Sequence, residues 1–219
     1  MSEARRRRGD ETRQRLMRAA EFLVAEHGIE NVTVRAIIQQ AAQKNESALQ
    51  YHFKTRDGLL DAIFEERSAQ VRVAREALLL PFMNGKVVEL SDICSIMVLP
   101  SFRLARMDVG FRHYIRGFGP RISQSSRPVE MLFTNAKGEG AAFVLNRLHE
   151  LLVNIPKPIL QARLESTLRF AALAMSYQSA EKRGFDGIEG DRFIANLQDS
   201  MVGILSAPVS TETASLYTS

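Results

Sequence analysis

The sequence predicts an all-α protein made of two helical parts joined by one long helix. Three observations predict it. Apolar residues recur at helical spacing from residue 10 to about residue 206, and no segment shows the period-2 alternation of a half-buried strand. Two short helical patterns, residues 33–42 and 45–53, lie about three residues apart, a spacing that suits a sharp turn between crossed helices. Beyond them the pattern over residues 56–80 runs without a breaker until Pro81.

Residues 1–9 are polar and read as a loose arm carrying Arg5, Arg6, Arg7 and Arg8. Leu16, Ala19, Ala20, Leu23 and Val24 predict a first helix over 10–27, capped by Asp10 or Thr12 and stopped at Gly28. Val34, Ile37, Ile38 and Ala41 share one face of the second, with Thr33 as its N-cap. Asn45 is the expected N-cap of the third, whose inner face is Ala48, Leu49 and Phe53. The fourth buries Leu59, Leu60, Ile63, Phe64, Val71, Ala74 and Leu78 and ends at Pro81.

Later helices are predicted at about 87–106 with a break at Pro100, then 108–118, 127–135, 139–153, 157–182 and 189–206. Gly117, Gly119 and Pro120, followed by the Ser- and Arg-rich stretch 121–128, read as a loop. So do residues 154–158, with two prolines, and 207–219 read as a loose tail.

Charge separates the two parts. Net charge is +4 over 219 residues, and residues 1–56 hold 11 Lys+Arg against 7 Asp+Glu, which leaves 18 of each in the remainder. All the excess positive charge is in the first quarter, the footprint of a surface for a polyanion with a neutral body behind it. The outer face of the third helix carries Glu46, Ser47, Gln50, Tyr51 and His52, short or planar hydrogen-bonding side chains of the kind that read base edges and phosphates. Lys54 and Arg56 follow at the start of the fourth helix, where cations and free N–H groups both reach a phosphate.

The run SALQYHFKTRDGLLDAIFEE resembles the end of the DNA-binding domain of TetR-family transcriptional regulators. Leu49, Gln50, Tyr51, His52 and Phe53 stand where that family closes its recognition helix. Thr55, Arg56, Asp57, Leu59 and Leu60 stand where it opens its fourth helix, and TVRAI (33–37) is similar to its second-helix opening. The family often has Gly in the turn where this chain has Ala42 and Gln43, and the spacing from TVRAI to YHF is one residue longer than is commonest.

With the resemblance, the chain divides into three units: a helix-turn-helix DNA-binding domain with its basic N-terminal arm (1–55), a helical ligand-binding and dimerisation domain (56–206), and the tail (207–219), read as disordered from its Ser/Thr-rich composition. Asn45, Ser47 and Gln50 are the expected base readers. Thr33, Arg35, Lys44, Tyr51, His52, Lys54 and Arg56 are the expected phosphate contacts. The arginine arm is either a solvated tail or a reach into the minor groove.

The apolar faces of 157–182 (Leu160, Leu164, Leu168, Ala171, Ala172, Met175) and 189–206 (Phe193, Ile194, Leu197, Met201, Ile204, Leu205) fit either the chain's own core or a second copy. The resemblance implies the second, as a four-helix bundle in a homodimer. A regulator of this kind needs an effector cavity, for which the middle helices offer Phe102, Arg106, Met107, His113, Tyr114, Phe118, Phe143, Phe170 and Tyr177. Inward arginines would call for an acidic effector, since unpaired buried charge is costly.

The expected function is that of a dimeric repressor released from a near-palindromic operator by a small molecule. An activator on the same scaffold, and a helical small-molecule carrier with a vestigial DNA-binding domain, are the other readings. No HExxH, GxSxG, phosphate-binding Walker loop or GxGxxG occurs, so an enzyme, a metal or a cofactor is not expected. Cys94 is the sole cysteine, which fits a reducing cytoplasm, and no apolar run approaches the ~20 residues of a membrane span.

Overall fold

The computed structural model describes residues 3–124 and 139–217, and every regular element among them is helical. The order is α1 (Glu3–His27), a 3-10 turn (Ile29–Asn31), α2 (Val34–Gln40), α3 (Ser47–Phe53), α4 (Arg56–Met83), α5 (Leu90–Met107), α6 (Val109–Gln124), α7 (Glu139–Leu151), α8 (Lys157–Gln178), α9 (Gly187–Ser206) and α10 (Thr211–Leu216). The helix expected at 127–135 lies outside the described residues. Among those described, no helix is long and apolar enough to cross a membrane.

Helices α1, α2 and α3 close around Leu16, Ala20, Leu23, Val24, Ile37, Ile38, Leu49 and Phe53, all buried. The same apolar core continues through Leu59, Leu60 and Ile63 of α4 into the body, where Ile93, Phe102, Phe111, Phe118, Phe185 and Met201 are buried. Gly28, at φ 79°, stops α1 as expected and donates its N–H to the Val24 carbonyl (2.9 Å).

Several expectations are corrected at the ends of elements. The arm is not loose from Glu3 onward: α1 begins there, because glutamate, alanine and arginine are all good helix formers and only Gly9 opposes them. The Thr12 hydroxyl donates back to the Arg8 carbonyl (3.0 Å) instead of capping the helix. Helix α4 runs two residues past Pro81, which sits in its last turn. At 28 residues α4 is about 42 Å long. The tail folds into α10, started by the Ser210 hydroxyl, which accepts from the Thr213 N–H (3.1 Å).

Two prolines expected to break helices lie inside them. Helix α5 passes through Pro100, and α6 continues through Gly117, Gly119 and Pro120 to Gln124, where a loop is expected. The glycines serve close approach. A Cβ at Gly117 would stand 2.6 Å from Val24 Cγ1 of α1, and one at Gly119 would stand 2.9 Å from Ser176 Cβ of α8. Two residues apart on a helix point in nearly opposite directions, so α6 is thinned on both sides to fit between α1 and α8. Pro120 has no N–H for the Arg116 carbonyl; the Ser176 hydroxyl donates to that oxygen instead (3.0 Å).

The apolar faces of α8 and α9 turn inward. Leu160, Leu164, Leu168, Ala171 and Met175 are buried within the chain, as are Ile194, Leu197, Met201 and Leu205, because α8 packs on both α6 and α9 and α9 packs on α5. These residues belong to the chain's own core, not to a face left open for a second copy. What α8 and α9 show outside is Phe170, Leu173, Tyr177 and Ile188.

Candidate nucleic-acid interface

The turn between α2 and α3 is built without glycine. Thr33 caps α2 as expected, its hydroxyl oxygen accepting from the Ala36 N–H (3.2 Å). Helix α2 then ends at Gln40, and Ala42 takes the left-handed conformation (φ 52°) that reverses the chain. That conformation costs an L-residue about 1–2 kcal/mol relative to glycine. It is retained because Ala41 is anchored in the core and the Gln43 N–H reaches the Ile38 carbonyl (3.0 Å). Asn45 does not cap α3. The helix begins at Ser47, after Glu46, and the Ser47 hydroxyl donates to the Asn45 side-chain oxygen.

Helix α3 is held by Leu49 and Phe53, both buried, and presents the opposite side to solvent. Ser47, Gln50 and Tyr51 are exposed there, Tyr51 at 71%. His52 is half-buried, its ring edge-on to Tyr51 at 4.9 Å. Burial, and then the charge of Arg13, hold its imidazole below the ordinary histidine value, so it is neutral at pH 7 in the free protein. Arg13 itself lies 5.5 Å over the Phe53 ring and pairs with Glu66 of α4 (3.1 Å), clamping the end of α3 to α1 and α4.

The link from α3 to α4 is strained. Lys54 has φ 70° and ψ −53°, and the Thr55 N–H donates to the Phe53 carbonyl across it (2.8 Å). This is a γ-turn of the rarer hand, with positive φ. It throws the exposed Lys54 outward and lets Thr55 cap α4, its hydroxyl accepting from the Gly58 N–H (2.9 Å). Thr33, Arg35 and Lys44 are exposed on the same unit. Arg56 is the exception among the expected phosphate contacts. Its guanidinium turns back to donate to the Ile29 carbonyl, and it lines a groove of about 740 Å³ between the end of α1, α6 and α8.

Among the described residues, those expected to line an effector cavity are divided between surface and core. Met107 is 86% exposed at the α5–α6 corner, Tyr177 is 78% exposed, and Phe170 is also on the surface. Phe102 packs on Phe185 (5.7 Å), and Arg106 is spent on the Phe185 carbonyl (2.7 Å) and Asp191 (2.6 Å). Tyr114 is sandwiched between Phe111 and Phe118, and burial pushes its phenol up. His113 lies edge-on to Phe22 of α1 (5.4 Å), and Phe143 lies under Arg147 (5.5 Å). Helical spacing does not distinguish core aromatics from cavity lining; here Phe102, Tyr114 and Phe118 are core and Phe170 and Tyr177 are on the surface.

A larger polar feature has no place in the expected site: a buried ion pair of Glu21 and Arg67 (2.6 Å), which Arg67 extends to the exposed Asp108 (2.8 Å). One sign of it is legible in the sequence. The apolar stripe of α4 has a gap at position 67, where an arginine stands four residues after Ile63 and four before Val71.

Two short helices joined by a tight turn, each anchored by two buried residues and with exposed cations on both flanks, fit a helix-turn-helix DNA-binding domain. Residues 16–63 match the family model described as "Bacterial regulatory proteins, tetR family", and this match supports a DNA-binding transcriptional regulator of that family. No curated protein matches the chain.

Proposed function

We propose that the protein is a non-catalytic, cytoplasmic homodimer that represses transcription from a near-palindromic operator and is released from it by a small-molecule effector. The observation that carries this reading is α3, anchored through Leu49 and Phe53 with Ser47, Gln50 and Tyr51 left bare on its outer side. Ser47, Gln50 and Asn45 read base edges in the major groove. Thr33, Arg35, Lys44, Tyr51, His52 and Lys54 hold phosphates, and the threonine hydroxyl keeps its proton free to donate while its oxygen caps α2. The arginines of the first turns of α1 run alongside: a Cβ on Gly9 would lie 3.9 Å from the His52 ring, so the basic stretch flanks the end of α3.

The proposed dimer face is the outer side of α8 and α9, where Phe170, Leu173, Tyr177 and Ile188 are exposed. Two copies on a two-fold axis would read half-sites roughly 34–36 Å apart. Effector binding would favour an arrangement whose reading helices are wrongly spaced, by as much as its affinity for the two arrangements differs.

The experiment is selection of bound duplexes from a random-sequence pool by the full chain, with sedimentation of the protein alone. An inverted repeat bound by a dimer is expected. A selected site with one unrepeated half, or a protein that stays monomeric at the concentration where it binds, would overturn the dimer. No enrichment of any sequence would overturn specific DNA reading.

A further inference from the structure

Outside the DNA-reading surface, the least ordinary chemistry in the molecule is the charge buried between its two parts. Glu21 of α1 is 2% exposed and Arg67 of α4 is 7% exposed. The two meet as a fork: Arg67 Nε donates to Glu21 Oε1 (2.6 Å) and a terminal nitrogen donates to Oε2 (2.8 Å). The other terminal nitrogen donates to Asp108 Oδ2 (2.8 Å) and to Gln70 Oε1 (3.0 Å). Asp108 is the corner between α5 and α6, and its second oxygen accepts the Gly110 N–H at the first turn of α6 (2.8 Å). The guanidinium also lies 5.3 Å over the Phe111 ring of α6. A Cβ at Gly110 would come within 2.8 Å of Arg67, so the bare backbone there is what lets α6 close on the pair.

One arginine therefore touches α1, α4, the α5–α6 corner and α6. Arg67 and Asp108 both lie beyond the residues 16–63 that match the family model. A buried ion pair is a poor source of net stability, since desolvation offsets most of its attraction, and apolar groups of like size often do as well. What a planar, bidentate fork supplies that an apolar contact does not is direction. Glu21 fixes the plane of the guanidinium, and Asp108 fixes which edge faces the corner. Farther along, α6 holds α1 at three more places: His113 against Phe22, Arg116 to Glu26 (2.7 Å), and Gly117 against Val24. Helix α1 in turn clamps α3 through Arg13 and Phe53.

We propose that Arg67 is a positioning residue for DNA binding: through Glu21 and Asp108 it sets the orientation of the reading domain relative to the body, without touching DNA. The Asp108 arm is the adjustable one. Its side chain is 50% exposed and stands on the corner that any shift of α5 or α6 must move, whereas the Glu21 arm is sealed. This rests on the domain's reading DNA, but its test does not need DNA to begin.

The test uses the full chain with spin labels on Glu46→Cys and Glu150→Cys, both exposed sites on α3's approach and on α7, diluted into unlabelled protein so that intrachain distances are read; the buried Cys94 stays in place. Glu21→Gln/Arg67→Met removes the two buried charges together, so that neither is left alone, and Asp108→Asn breaks only the solvent-side arm. Both should keep their helicity and widen the label-to-label distribution. Against the duplex selected by the unsubstituted chain, the double variant should lose on the order of tenfold or more in affinity, the usual size of coupling between sites. Asp108→Glu, which restores the carboxylate, should narrow the distribution again.

A distribution unchanged in both variants overturns the proposal. So does weakened DNA binding with the distribution unmoved, since that is what a purely structural contribution gives. If the double variant does not fold, Asp108→Asn decides by itself. If the unsubstituted chain selects no DNA, the functional reading fails while the distance measurement still decides whether Arg67 orients the domain.

Discussion

Among the described residues, Ala42 and Lys54 carry the positive φ values outside glycine, and they bracket α3. At Ala42 the strain has a simple release. Ala42→Gly should raise stability by about 1 kcal/mol, read as a higher denaturant midpoint with unchanged slope; a lower midpoint would mean the turn is not left-handed in solution. Tyr51 tests the surface itself. It is exposed, with its ring against the His52 edge, so Tyr51→Ala should abolish binding to the selected duplex while circular dichroism and sedimentation stay as they were. Normal affinity in that variant would remove Tyr51 from the contact set.

His52 supplies a pH dependence whose sign follows from its environment. Its folded value lies below the unfolded one, so its contribution to stability is full above the unfolded value and is lost as pH falls through the folded one. A neighbouring phosphate acts the other way, favouring the protonated ring in the complex. DNA affinity should therefore rise as pH drops from 7.5 toward 5.5, by at most about tenfold per pH unit for one proton. His52→Gln should flatten that slope, and an equal slope in the variant would mean that His52 faces no phosphate.

Among the elements, α6 departs furthest from its sequence signals. Gly, Gly and Pro within four residues ordinarily punctuate a chain. Here the two glycines are surfaces of contact to helices 93 and 57 residues away in sequence, Val24 and Ser176, and local reading has no access to either partner. Gly117→Ala should cost about 1–3 kcal/mol, as overfilling a packed contact does. Because the clash is with α1, its effect on DNA binding should exceed that of Gly119→Ala, which meets α8. Equal losses in the two variants would argue against α6 as the brace of the reading domain. The faces of α8 and α9 teach a related lesson: Leu160, Leu164, Leu168, Met201 and Leu205 carry a helical stripe that serves equally for a core or for a second copy, and the choice depends on what else the chain places against them.

At the scale of the whole molecule, excess positive charge is confined to the first quarter, and the body is balanced. Binding should weaken steeply with salt because each neutralised phosphate releases counterions, with a slope of roughly −0.9 per contact. A flat plot of log K against log salt would contradict the phosphate contacts assigned to Arg35, Lys44 and Lys54. Truncating the arginines of the first turns should make the slope shallower without changing which sequence is selected.

The sequence by itself determined the helical class, the pair of short helices between Thr33 and Phe53, the capping of α2, and the exposed polar face of α3. Each of these is a local matter: periodicity, a cap within three residues, or a run of polar side chains beside a buried stripe. Only the tertiary structure decided that Arg56 turns inward to a carbonyl, that Phe102, Tyr114 and Phe118 are core, that α6 stays helical through its glycines, and that Glu21, Arg67 and Asp108 meet. Those outcomes depend on groups brought together from 27 to 93 residues apart, where close approach or a shared buried charge outweighs local preference.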